Sequence, residues 1–142
     1  MKFCWVTLHV KDINVSLRFY QEVLGLELVR RVKPLPTREL AFLSAEGGET
    51  QVELVQNTAQ DNNALQKTAD DHVDHSNDIS FGKDISLGFE VPSLEGFQEE
   101  LSKHGIPIHA GPIQPNPTIR FMYILDPDGL LVQLVERSSS GD

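Results

Sequence analysis

An α+β fold built from two tandem β-α-β-β-β units is predicted by three observations on this 142-residue chain. Short stretches rich in β-branched and aromatic residues alternate apolar and polar positions with the two-residue period of a half-buried strand. Each half holds one amphipathic segment with a capping residue before it and a glycine after it. The halves also match in order and spacing, since "GGETQVELVQ" corresponds to "PDGLLVQLVE" and the interval from Trp5 to Glu53 nearly equals that from Ser86 to Gln133.

The first strand is expected over 3–10, "FCWVTLHV", with Trp5, Thr7 and His9 on one face. Asp12 or Asn14 can then cap a helix whose apolar residues Ile13, Leu17, Tyr20 and Leu24 share a face, and Gly25 supplies the stop. Strands over 26–32, 38–45 and 50–56 follow, separated by the Pro34 and Pro36 segment and by the Gly47 and Gly48 turn. In the second half a strand over 84–91 precedes a helix capped by Ser93, carrying Leu94, Phe97 and Leu101 and ended by Gly105. Three strands over 106–110, 118–125 and 130–136 complete it. Leu17, Tyr20, Leu24, Phe97 and Leu101 are the helix residues expected to pack on the sheets.

The chain is expected to be a single domain of two repeats, 1–57 and 83–137, joined by a polar, acidic insertion at 58–82 and followed by a short tail at 138–142. Twenty-one acidic against twelve basic residues give a formal charge of −9, so nucleic acid is not an expected partner. No apolar run approaches the ~20 residues of a membrane span. The N-terminal stretch lacks a signal-peptide pattern, and a cytoplasmic location is expected. Cys4, without a second cysteine to pair with, reads as a small core residue.

Gln133 is the one amide within the apolar run "LLVQLVE". Buried polar groups need hydrogen-bond partners. By the strand period Gln133 faces away from Leu130, Val132 and Leu134, as Glu53 faces away from Val52 and Leu54. It therefore lines a cavity, or else meets solvent on an edge strand.

Two such units, with "VKDINVSLRFYQEVLGLELVRR" opening the first and "LDPDGLLVQLVE" closing the second, resemble the glyoxalase/bleomycin-resistance/dioxygenase group, the vicinal-oxygen-chelate superfamily. The resemblance covers the chain apart from 58–82 and the tail. It implies that each sheet curls into a cup and that two cups form an open mixed β-sheet barrel around one cavity, often in a homodimer. Metal-dependent members place four ligands at positions that fall here on Trp5, Glu53, Ser86 and Gln133, of which only Glu53 keeps a ligand type.

Ni²⁺, Zn²⁺ or Fe²⁺ seeks imidazole nitrogen and carboxylate oxygen, whereas indole has no available lone pair and serine and glutamine are weak neutral donors. No metal cofactor is therefore expected, with a divalent metal as the alternative. His9 lies four residues beyond Trp5, roughly 13 Å along the strand, and reads as a cavity or rim residue. His72 and His75 could bind metal on a helical turn but fit a solvated acidic loop better. His104 and His109 are assigned to a helix end and an edge strand.

In a metal-free cavity Trp5 offers a stacking platform, or is simply core. Glu53 can exchange a proton or meet a ligand amine, while Thr7, Ser86 and Gln133 can orient polar groups. If residues 126–129 form a four-residue turn, Met122 pairs with Gln133 and Arg120 shares its face as a cation for a ligand carboxylate; a slip of one residue turns Phe121, Tyr123 and Leu125 to that face instead. Two functions follow as expectations. One is a metal-independent binder of a small aromatic or cationic molecule. The other is a lactoylglutathione lyase-like lyase or isomerase with non-standard metal ligands and Glu53 as ligand or base.

Overall fold

The computed structural model describes residues 1–46, 48–58, 82 and 85–138. The insertion apart from Thr58 and Gly82, with His72 and His75, and the end of the tail lie outside the described residues. The chain divides into two compact units, 1–79 and 80–142, and each has the expected β-α-β-β-β order.

In the first unit β1 (Trp5–His9), β2 (Glu27–Leu35), β3 (Arg38–Ser44) and β4 (Gln51–Asn57) form one sheet in the order β1-β4-β3-β2. β1 runs parallel to β4 and the other pairs are antiparallel. Helix α1 (Ile13–Arg18) begins at Asp12, whose carboxylate accepts the amides of Asn14 and Val15 at 2.9 and 3.3 Å. It continues as a π-helical stretch, Phe19–Val23.

That wider turn, closed by the Leu24 amide on the Phe19 carbonyl at 3.1 Å, corrects the helical face expected from 3.6-residue spacing. Phe19 and Val23 join Ile13, Leu17 and Tyr20 in the buried set, and Leu24 is only half-buried. Cys4 corrects a second expectation. It precedes β1 and is exposed, because the strand starts at Trp5.

The second unit repeats the plan with β5 (Ser86–Glu90), α2 (Leu94–Lys103), β6 (Ala110–Asn116), β7 (Ile119–Leu125) and β8 (Leu131–Arg137), in sheet order β5-β8-β7-β6. Ser93 caps α2 through the Gly96 amide at 3.1 Å. Leu94 and Leu101 are buried, while Phe97 is half-buried. The sixth strand lies later than the expected 106–110. Its sequence "AGPIQPN" holds two prolines, which an edge strand tolerates because one side of its ladder is unpaired. Among the described residues no helix is long and apolar enough to cross a membrane.

One device recurs in both units. The Ile13 amide, at the start of α1, donates to Gln56 Oε1 on β4 at 2.7 Å. The Leu94 amide, at the start of α2, donates to Glu136 Oε2 on β8 at 2.7 Å. The last strand of each unit thus satisfies a helix-end amide that has no partner within its own helix. The two acceptors differ in charge, and so do their cross-strand neighbours: Gln56 sits opposite Glu39, and Glu136 sits opposite Arg120.

Candidate functional site

Each sheet has one face toward its helix and one face free of it. In the first unit Ala41, Leu43, Val52 and Leu54 are buried on the helix side. The alternation then sends Trp5, Thr7 and His9 of β1, Glu53 of β4 and Phe42 of β3 to the other face. Thr7 and Phe42 flank Glu53 in register, and the Thr7 hydroxyl donates to Glu53 Oε1 at 2.5 Å. Trp5, 48% exposed, meets the Phe42 ring edge-on with centroids 5.6 Å apart.

A β-bulge adds one more residue to this face. β2 pairs Leu28 with Leu43 and Arg30 with Phe42, so two steps along β2 correspond to one along β3. Val29 is the extra residue, and it switches Arg30 from the helix side, where Leu28 points, to the Phe42 side. The Arg30 guanidinium lies over the Phe42 ring, 4.6 Å from its centroid. Its neighbour Arg31 is committed elsewhere, to Glu39 and, at 2.8 Å, to Asn14 Oδ1.

In the second unit Gln133 occupies β8 between β5 and β7, so it is not on an edge strand. It is half-buried and pairs with Gly88 and Tyr123. Its Nε2 donates to the Tyr123 hydroxyl at 3.1 Å. The side-chain oxygen lies beside Gly88, where an added Cβ would come to 3.6 Å from it. Ser86, two residues earlier on β5, is exposed on the same face. Phe121 and Tyr123 pack edge-to-face with centroids 5.8 Å apart.

The register here corrects the expected placement of Arg120. Asp126 accepts the amides of Asp128 and Leu130 on one carboxylate oxygen at 2.9 and 2.8 Å, so Leu130 belongs to the turn. β7 and β8 then pair Tyr123 with Gln133 and Met122 with Leu134. Phe121 and Tyr123 take the Gln133 face, and Arg120 falls on the helix side. There it joins Glu95 of α2 at 2.9 Å and Glu136 of β8 at 2.9 Å.

Hydrogen bonding by Arg120 holds the Glu95 carboxyl below its ordinary pKa. The Leu94 amide, then Arg120, does the same for Glu136. The two carboxylates in turn raise the pKa of Arg120. Arg120 is thus fully engaged in joining helix to sheet.

Of the four positions matched to metal ligands, Trp5 and Glu53 share the helix-free face of one unit, and Ser86 and Gln133 that of the other. The donors offered are one carboxylate and one indole in the first, one hydroxyl and one amide in the second. No cluster of three or more His, Cys, Asp or Glu able to hold an ion occurs among the described residues. Phe42 and Arg30 were not singled out from sequence as binding residues, and Tyr123 only as one of the residues that a one-residue slip turns to this face. Phe42 was legible from its alternation in "LAFLS", whereas the other two depend on a bulge and a turn.

The sequence profile of the Glyoxalase/Bleomycin resistance protein/Dioxygenase superfamily matches residues 2–134. A lactoylglutathione lyase of Haemophilus influenzae is 30% identical over 143 residues, covering 99% of this chain and 96% of that protein. A glyoxalase family protein from Bacillus cereus has a similar structure, with a TM-score of 0.76 at 21% identity over 96% of this chain and 94% of the other. An antibiotic-binding protein from a Streptomyces species gives 0.68 at 19% identity, over 97% of each chain. At these identities the two structural likenesses establish the fold.

Proposed function

Because the chain belongs to the Glyoxalase/Bleomycin resistance protein/Dioxygenase superfamily, a scaffold that hosts many activities, we propose that it binds a small aromatic molecule without the family's metal. The observation that carries this reading is the row Thr7, Glu53, Phe42 with Trp5 alongside. It combines an accessible indole with one hydrogen-bonded carboxylate, a setting suited to stacking and polar recognition.

The donor set argues against a transition metal. Indole nitrogen cannot coordinate, and a hydroxyl and an amide are poor substitutes for imidazole and carboxylate. Trp5, Glu53, Ser86 and Gln133 therefore act as ligand contacts, with Thr7 orienting Glu53, Tyr123 orienting Gln133 and His9 on the same face as Trp5. A homodimer in the cytoplasm belongs to the same reading, and light scattering on the purified protein tests its oligomeric part.

Elemental analysis of protein purified with neither added metal nor chelator tests the proposal. Well under one equivalent of nickel, zinc or iron per chain supports it, and one equivalent overturns it. A second reading draws on the full-length similarity to the Haemophilus influenzae lactoylglutathione lyase. It requires metal-dependent turnover of a hemithioacetal that Glu53→Ala abolishes.

A further inference from the structure

We propose that Arg30 is the anion-recognising residue of this binding face and that the ligand is a planar aromatic acid. The inference rests on the small-molecule reading above and goes further by naming the chemical class.

The Val29 bulge is what brings Arg30 to the face that carries Glu53. With regular pairing, Arg30 would follow Leu28 to the helix side. Bulges commonly re-aim a side chain beside a functional site. Arg30 then lies over Phe42, held by the attraction between a cation and the face of an aromatic ring.

The ring occupies none of the hydrogen-bond acceptor sites an arginine seeks, so the planar fork of N–H donors is available for a two-pronged contact with an acid. The other arginines of the two sheets have acceptors: Arg31 has Glu39 and Asn14, Arg38 has Asn57, Arg120 has Glu95 and Glu136, and Arg137 has Glu90. Among the described residues Arg30 has no carboxylate partner, only the ring beneath it.

The row also sets the shape of the ligand. Arg30, Phe42 and Glu53 are consecutive cross-strand neighbours, so the cation and the carboxylate stand about 10 Å apart at the backbone, with an aromatic ring between them. An aromatic compound with its acid at Arg30 and an N–H or basic group toward Glu53 matches that order. Its ring would lie against the exposed Trp5, which packs edge-on against the buried Phe42.

The test uses two fluorescent probes on the full-length protein, 8-anilinonaphthalene-1-sulfonate and its uncharged counterpart N-phenyl-1-naphthylamine. The variants are Arg30→Met, which keeps an apolar stem, and Arg30→Lys, which keeps the charge without the planar fork. Arg30→Met is expected to weaken the sulfonate about tenfold, the scale of one charge-assisted hydrogen bond, and the neutral probe less than twofold. Arg30→Lys should fall between. The sulfonate affinity of the wild type should drop with added salt, and that of Arg30→Met should not.

Equal losses for both probes, or no loss for either, would overturn the role of Arg30 and leave the aromatic-binding reading standing. A wild-type protein that binds neither probe would overturn both.

Discussion

Replacing Gln56 with alanine tests the strand-to-helix bond that both units share. Ile13 is 1% exposed, and its amide meets Gln56 Oε1 at 2.7 Å. Asp12 already serves the amides of Asn14 and Val15 through its side chain and that of Ser16 through its carbonyl. An unsatisfied buried donor costs about 1–3 kcal/mol. For a protein of this length that lowers the melting temperature by roughly 3–9 °C.

Gln56→Glu restores an acceptor and places negative charge at the positive end of α1, which favours it by about 0.3–1 kcal/mol. It also sets a second carboxylate opposite Glu39, an unfavourable contact of about the same size. Gln56→Glu should therefore lie close to wild type and well above Gln56→Ala. Urea denaturation gives the free energies, and amide exchange at Ile13 reports the bond itself. An alanine variant within about 0.5 kcal/mol of wild type, with unchanged protection at Ile13, would refute the argument.

Leu54, fully buried on the helix side of β4, should cost about 2–5 kcal/mol as Leu54→Ala in the same assay. Tyr123→Phe removes the partner of Gln133 Nε2, so a loss of about 1 kcal/mol and weaker ligand binding are expected by denaturation and titration. The Arg120 cluster gives a pH dependence. Glu95 and Glu136 have folded-state pKa values below the ordinary 4.5. The stability they contribute is complete above about that pH and is lost as pH falls through the depressed values. Melting temperatures followed from pH 7 downward should show a steeper acid decline in wild type than in Arg120→Leu, and equal slopes would contradict the assignment.

What could be read from sequence was whatever local chemistry decides. Asp12 and Ser93 are caps because a side-chain oxygen before an apolar-periodic run has a defined use, and both hold that role here. Glu53 and Gln133 were placed on the faces away from the helices by a two-residue period that β4 and β8 obey without interruption. What the sequence left unread or misplaced sits where one residue enters or leaves the count. At Val29 an added residue moves Arg30 across the sheet. At Leu130 an amide bound to the Asp126 side chain lengthens the turn and puts Tyr123, in place of Met122, opposite Gln133. In both cases hydrophobic alternation is the same under the right and the wrong register until pairing selects one. The π-helical stretch after Arg18 has the same character, since 3.6-residue spacing admits Leu24 as readily as Val23.

In each sheet the opening strand is completed by the closing one, β1 by β4 and β5 by β8. The hairpin of β2 and β3 can zip up as soon as both have been synthesised. β1, in contrast, must wait in water for roughly 45 further residues before its ladder finds a partner. During translation each half therefore stays unlatched until its final strand arrives, and an interruption of synthesis just short of β4 would release a chain with its middle paired and its beginning exposed.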